Sequence, residues 1–206
     1  GSGNMTGVIS ELKIHDNSTD GDVKLGSGAY SFDGSNDKIV FGSASDWTFL
    51  NDGSSWSAVW WQNQNSNSSD QQIFNTMSDS SGNNRGVSVY LKSNGNIGLA
   101  SYNGTAGQYP FSTDTIATGM FNDTGVWHHY AVVYDSSDEK AYVYKDGVLK
   151  NTGGTSKSSA SFNTGSPQNA LQVGERISGN DRDLNGKLDD MAFYKRALTA
   201  TEIGKL

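Results

Sequence analysis

The stretch that decides the fold is Gly186-Lys-Leu-Asp-Asp-Met-Ala-Phe-Tyr-Lys-Arg-Ala-Leu-Thr-Ala-Thr-Glu-Ile203. Its first half predicts a last β-strand, whose apolar side chains can pack while the acids face elsewhere. These apolar residues are Leu188, Met191 and Phe193. Thr199 and Glu202 then form a capping box, which predicts a short helix after the strand.

Two further stretches also contain the residue patterns of β-strands. Gly28-Ala-Tyr-Ser-Phe-Asp-Gly-Ser-Asn-Asp37 combines a short strand with a polar turn, and Trp127-His-His129 begins an aromatic, β-branched strand. With the closing stretch, these motifs resemble the laminin G-like domain of the concanavalin A-like lectin/glucanase superfamily. The resemblance covers residues 28–206 and implies an all-β, two-sheet antiparallel jelly-roll sandwich with a short C-terminal helix. Residues 1–27 are predicted to be an N-terminal edge segment of the same domain.

Composition agrees with a turn-rich β-domain, because the chain has 25 Gly, only 34% hydrophobic residues and no Cys. The net charge of −7 comes without a cluster of Lys and Arg, which argues against nucleic acid as a partner. No apolar run is long enough to insert into a membrane. These features favour an extracellular protein at a cell or virion surface, and the start Gly1-Ser-Gly-Asn-Met5 favours a domain excised from a larger multidomain or multimeric protein.

The residues predict no enzyme. Glycoside hydrolases of this fold carry paired carboxylates on one strand, as Glu-x-Asp-x-Glu, but none of the glutamates here stands in such a pattern; they are Glu11, Glu139, Glu175 and Glu202. His128 and His129 are adjacent on a predicted strand, so they point to opposite faces and cannot share one ion. Residues 103–124 are predicted to be a long polar loop.

Three oxygen-rich segments are candidates for a calcium ion, which takes six to eight oxygen ligands. The first is the loop from Asp16 to Asp22, and the second runs from Asp181 through Asp183 to Asn185. By resemblance to several superfamily relatives, Asp189 could join an N-terminal oxygen, such as that of Asp16, at a structural ion.

The third candidate comes from a comparison with the pentraxins, lectin-like relatives that bind their ligands through calcium. The resemblance implies ligands from Asp70-Gln71 before one strand, from Glu175 after another, and from Asp181 or Asp183. Ile177 departs from that pattern, because the pentraxin loop has a second acid there. The sequence leaves open which of the three segments holds an ion.

A sugar would complete the site by stacking on an aromatic ring. Tyr102 and Tyr109 flank the predicted long loop, Trp60 is a further candidate ring, and Arg176 is a candidate contact for carboxylate or hydroxyl groups. The leading hypothesis is therefore a non-catalytic, calcium-assisted, carbohydrate-binding adhesion module. The alternative is a structural or protein-binding module of a larger surface fibre or viral particle, in which calcium only stabilises the fold.

Overall fold

The computed structural model describes residues 28–77, 84–177 and 182–206, together with strand β1 at Glu11–Ile14. This part of the chain folds into two antiparallel sheets, one of eight strands and one of six, with a short helix near the C-terminus. The prediction of an all-β jelly-roll sandwich with a C-terminal helix is confirmed.

Sheet A has the order β1-β14-β4-β9-β10-β11, with β2 also paired to β14 and β12 to β10. Its strands are β1 (Glu11–Ile14), β2 (Tyr30–Asp33), β4 (Trp56–Gln64), β9 (Trp127–Asp135), β10 (Lys140–Lys145), β11 (Val148–Leu149), β12 (Thr155–Ser156) and β14 (Asn185–Tyr194).

Sheet B has the order β3-β13-β5-β6-β7-β8. Its strands are β3 (Ile39–Phe41), β5 (Gln71–Asn75), β6 (Arg85–Leu91), β7 (Ile97–Asn103), β8 (Phe111–Ala117) and β13 (Leu171–Val173). A 3₁₀ helix, Ala44–Leu50, connects β3 to β4.

The core lies between the two sheets and is rich in aromatic rings. Phe74 of sheet B meets Trp60 and Phe193 of sheet A edge to face, with centroid separations of 6.3 and 5.1 Å. Aromatic pairs favour this geometry, because the positive edge of one ring meets the negative face of the other. The rings thus join the two sheets at the centre of the molecule.

Strand β14 reaches this core from both sides of a β-bulge. Strict alternation would point Leu188 and Met191 to opposite faces of the sheet. The register with β4 shifts between Asp189 and Ala192, and Asp190 has a left-handed φ of 46°. The extra residue restores the inward direction, so all three predicted core residues are buried.

Helix α1 (Ala200–Ile203) packs on the outer face of sheet A. The predicted capping box is confirmed: Thr199 accepts a hydrogen bond from the Glu202 amide, and the Glu202 carboxylate accepts one from the Thr199 amide. Ile203 and Leu198 are buried against Val59 and neighbouring residues of sheet A. Four helical residues are too few to be stable alone, so the capping and this packing hold the helix in place.

The predicted long loop at 103–124 is wrong in its middle part, because β8 occupies Phe111–Ala117. Between Phe111 and Ile116 the segment has only Ser, Thr and Asp, so its sequence lacks the apolar alternation that predicts a strand. Pairing with β7 forms the strand instead. Among the described residues, no helix has the length and hydropathy that a membrane span requires.

Candidate functional site

The outer face of sheet B carries an apolar cluster of its own, separate from the core. Val89 and Leu99 point inward on β6 and β7, so their neighbours Tyr90 and Ala100 point outward. Tyr102 continues this row on β7 and packs against the cluster. We call Tyr90, Ala100 and Tyr102 the aromatic strip. The strip places two tyrosine rings on the outer surface of sheet B.

The ring of Tyr90 lies flat across β7 because its cross-strand partner is Gly98. A Cβ atom at Gly98 would lie 2.4 Å from the Tyr90 ring, which leaves no room for any other residue. The Tyr90 hydroxyl reaches β8, where it donates a hydrogen bond of 3.4 Å to the Thr113 carbonyl. The ring therefore has one defined position on the surface of the sheet.

Arg182 covers this ring. The centre of its guanidinium group lies 4.5 Å from the Tyr90 centroid, within the range of a cation–π interaction. Its backbone carbonyl accepts a hydrogen bond of 2.9 Å from the Gln72 amide, which fixes the chain at this point. The side chain is 19% exposed. Within the described part of the chain, no oxygen accepts a hydrogen bond from the guanidinium group.

The carboxylate of Asp70 lies 4.0 Å from the Arg182 guanidinium group, at the outer limit of an ion pair, and has closer partners. It accepts hydrogen bonds from Lys92 Nζ at 2.7 Å and from the Ser93 amide at 3.0 Å. Partial burial raises the pKa of Asp70, but the hydrogen bonds from Lys92 and Ser93 outweigh burial, so its pKa lies below the usual value. Lys92 thus holds Asp70 in its charged form and away from Arg182.

A groove lies at the other end of the aromatic strip. The Tyr109 ring packs against Tyr102, with 4.3 Å between centroids. Beside Tyr109, the loop after β7 and the loop after β12 form the walls of what we call the serine groove. It is lined by Gly107, Gln108, Tyr109, Ser112, Ser158, Ser159, Ala160 and Ser161. Tyr102 and Tyr109, both predicted as ligand contacts, are thus neighbours, half-buried and at one place on the surface.

Trp60 was predicted as an exposed ring and is instead fully buried, so it cannot stack on a ligand. It alternates with Val59 and Trp61 on β4 and faces the core. Its indole N–H donates to Gln62 Oε1 at 2.9 Å. A strand pattern predicts that neighbouring side chains of β4 point to opposite faces of the sheet. Aromatic content does not indicate which of the two faces is buried.

The described residues of the pentraxin-like set are bound to other groups of the protein. Glu175 is buried and forms an ion pair of 2.6 Å with Lys38, as Asp70 does with Lys92. The amide of Gln71 is used by the protein: its Oε1 accepts from Gln64 and from the Asn185 amide, each at 2.7 Å. Two ammonium groups therefore already neutralise the carboxylates that a calcium ion would need.

The remaining metal candidates lie apart from this set. Asp189 is buried on β14, where it accepts a hydrogen bond from the Asp190 amide, and Asp183 is partly exposed before that strand. Asp16 and Asp181 lie outside the described residues. Arg176 is partly exposed two residues after Gly174. Within the described residues, no three acidic or histidine side chains are grouped as a metal ion would require.

A family model described as the concanavalin A-like lectin/glucanases superfamily, of the laminin G type, matches residues 33–204. The chain belongs to this superfamily. The predicted resemblance is confirmed over most of its extent. A comparison with curated proteins found no match to the chain.

Solved structures show the same fold at low sequence identity. A carbohydrate-binding module of family 40 from the Ruminococcus gnavus IT-sialidase, bound to alpha2,3 sialyllactose, has a TM-score of 0.62 and 15% identity, covering 83% of this chain and 96% of its own. The NanB sialidase of Streptococcus pneumoniae has a TM-score of 0.63 and 18% identity over 87% of this chain. This chain spans only 27% of NanB.

A heptameric SAP-like pentraxin from Limulus polyphemus is also similar, with a TM-score of 0.52 and 18% identity, covering 84% of this chain and 78% of the pentraxin. At these identities the likeness is one of fold. The fold is one that lectin-like and carbohydrate-binding domains share.

Proposed function

We propose that this protein is a non-catalytic module that binds acidic glycans on the outer face of sheet B. The observation that carries the proposal is the position of Arg182. Its guanidinium group lies over the Tyr90 ring, and its backbone carbonyl accepts a hydrogen bond from the Gln72 amide. No described residue accepts a hydrogen bond from the guanidinium group. An arginine fixed in this way is prepared to bind a carboxylate.

The chemistry favours a carboxylate-bearing sugar. The planar guanidinium fork matches the two oxygens of a carboxylate, and such charge-assisted pairs are about twice as strong as neutral hydrogen bonds. Lys92 binds Asp70 at 2.7 Å and so offsets the negative charge that would otherwise repel a carboxylate at Arg182. The exposed part of the aromatic strip at Tyr102 supplies an apolar surface for the face of a sugar ring.

The relatives support the same class of ligand. The Ruminococcus gnavus module, which this chain matches over nearly the whole length of that module, is described as bound to sialyllactose, a glycan with an acidic sugar. Its likeness to the present chain supports the fold, and Arg182 supports the acidic ligand independently. As a glycan-binding module, the protein would act in adhesion at a cell or virion surface, where glycans are displayed.

Calcium is a separate part of the proposal. The described carboxylates of the pentraxin-like set are paired with lysines, so we propose that calcium assists the module through the loops that contain Asp16 and Asp181. An ion bound by these residues would stabilise the folded state. Glycan binding measured with calcium and then with a chelator separates an ion that stabilises the module from one that contacts the sugar.

The test is isothermal titration with sialyllactose and with lactose, which lacks the acid. We expect binding of sialyllactose only, weakened about 10- to 100-fold in Arg182→Gln, since hydrogen bonds to charged groups are worth about 1.5–3 kcal/mol. Lys150→Gln removes an exposed charge on sheet A and should leave binding unchanged. Equal binding of both sugars, or no effect of Arg182→Gln, would contradict the proposal. Failure to bind any sugar would favour the structural or protein-binding alternative.

A further inference from the structure

The serine groove has the chemistry of a second sugar subsite. Its walls present hydroxyl groups from four serines, the amide of Gln108 and one face of Tyr109, and none of its lining residues is charged. Hydroxyls and amides exchange hydrogen bonds with sugar hydroxyls, and an aromatic ring covers the apolar face of a pyranose. An uncharged groove of this kind selects neutral sugars.

Lys157, next to the groove residue Ser158, uses its ammonium group in contacts within the protein. Lys157 donates hydrogen bonds to the carbonyls of Ser158 and Ala160, at 2.9 and 3.3 Å, and lies 3.5 Å from Glu139. Its ammonium group therefore holds the loop backbone together and does not attract an anionic ligand. The two ends of the sheet B face thus differ in chemistry: Arg182 suits an acid, and the groove suits a neutral sugar.

The groove is built before any ligand arrives. Asn103, which is 8% exposed, donates through Nδ2 to Gln108 at 3.1 Å and to the Ser161 carbonyl at 2.9 Å, so it ties both walls together. The Ser158 amide donates to the Pro110 carbonyl at 2.9 Å. Walls that are already ordered lose little entropy when a ligand binds, which favours affinity.

The two ends are too far apart for one monosaccharide. On β7, Gly98 lies beneath Tyr90, and Tyr102 lies beside Tyr109. The two β7 residues are four positions apart, which is about 13 Å along a strand. The aromatic strip connects them. We infer that the ligand is an oligosaccharide that places its acidic unit at Arg182 and a neutral pyranose in the serine groove. This inference rests on the proposed function and adds the length and direction of the glycan.

The experiment compares sialic acid with alpha2,3 sialyllactose by isothermal titration. We expect the trisaccharide to bind about tenfold more tightly, as one or two net hydrogen bonds would give. Ser159→Trp fills the groove and should remove this gain while the dissociation constant for sialic acid stays the same. Thr201→Trp, at an exposed position on α1, is the matched control and should change neither value. Thermal melting of each variant confirms that it is folded.

The outcomes separate the two hypotheses. Equal affinity for sialic acid and sialyllactose, or equal loss of both in Ser159→Trp, overturns the second subsite and leaves the proposed function standing. Binding of neither sugar by the unaltered protein overturns the proposed function and the subsite with it. A tenfold gain that survives Ser159→Trp shows that the neutral sugars lie elsewhere, and overturns the assignment of the groove.

Discussion

At the scale of single residues, the ion pair between Asp70 and Lys92 decides whether Arg182 is available. Asp70 lies 2.7 Å from Lys92 and 4.0 Å from Arg182, so the lysine holds the carboxylate and the arginine keeps its donors. Without Lys92, the Asp70 carboxylate would pair with Arg182. In the proposed site, Lys92 therefore keeps a neighbouring acid from pairing with Arg182.

This arrangement predicts the effect of Lys92→Met. The pKa of Asp70 should rise, because the strongest of the interactions that lower it is lost, and glycan binding should weaken as Asp70 pairs with Arg182. Carboxyl NMR titration measures the pKa and calorimetry measures the binding. Lys150→Met is the control for a lost charge. Unchanged binding, together with a raised pKa, would show that Asp70 does not compete for the arginine.

Gly98 is the second residue on which the site depends. Gly98→Ala would place a Cβ atom 2.4 Å from the Tyr90 ring, so the ring and Arg182 must move. We expect a loss of about 1–3 kcal/mol in the free energy of unfolding, as overpacking gives, and weaker glycan binding. Urea denaturation measures the first effect. In a Tyr90→Ala background the same change should cost much less, and an equal cost there would mean that strain in the strand, and not the ring, is responsible.

At the scale of elements, helix α1 shows how a four-residue segment is held by its cap. The Glu202 carboxylate accepts hydrogen bonds from Arg196 and then from Thr199, and these lower its pKa to about 2 from an ordinary value of 4.5. A lowered pKa means that the ionised form stabilises the folded state. The contribution is present above pH 4.5 and is lost as the pH falls towards 2.

The cap therefore predicts a pH dependence that belongs to this element. Melting temperature should fall between pH 4.5 and pH 2 more steeply in the unaltered protein than in Glu202→Gln, which has no charge to lose at this position. Glu139→Gln, an exposed acid at the β9–β10 turn, is the control. If the two variants show the same slope, Glu202 does not couple the helix to pH.

Elements also show where sequence patterns succeed and where they fail. The capping box needs only two residues at fixed spacing, so Thr199 and Glu202 predicted α1 correctly. Strand β8 was missed because four residues lie between Phe111 and Ile116 and all four have polar side chains. Such a strand depends on hydrogen bonds to β7, a partner distant in sequence, and a local pattern does not contain this information.

At the scale of the whole molecule, the family motifs were enough to predict two stacked sheets but only part of the proposed site. Tyr102 and Tyr109, candidate ligand contacts because of the predicted long loop, do lie together on the surface. Arg182 and Tyr90 were missed, since 92 residues of chain separate them and only the folded sheet brings them into contact. A signal was present in the sequence: Tyr90 faces Gly98 across a hairpin whose turn was predicted, and a glycine opposite an aromatic residue indicates a ring lying over the sheet.

Two of the predicted calcium ligands have partners that the sequence pattern does not show. Asp70 and Glu175 each follow a spacing that a metal site could use, but their partners, Lys92 and Lys38, come from other strands or loops. A carboxylate already bound to an ammonium group is a poor calcium ligand, because the ion must displace a favourable pair. Sequence spacing counts oxygens but does not show which cation neutralises them.

This reasoning leads to a prediction for the stability of the whole domain. With a net charge of −7, the fold should be stabilised by a calcium ion held in the loops of Asp16 and Asp181. At calcium concentrations about 100-fold above the dissociation constant, we expect the melting temperature to rise by about 5–10 °C. Asp16→Asn or Asp181→Asn should reduce the rise, whereas Asp70→Asn and Glu175→Gln should preserve it, because these carboxylates bind lysines. A rise that disappears in Glu175→Gln would instead place the ion in the pentraxin-like set, and would require Lys38 to leave Glu175 when calcium binds.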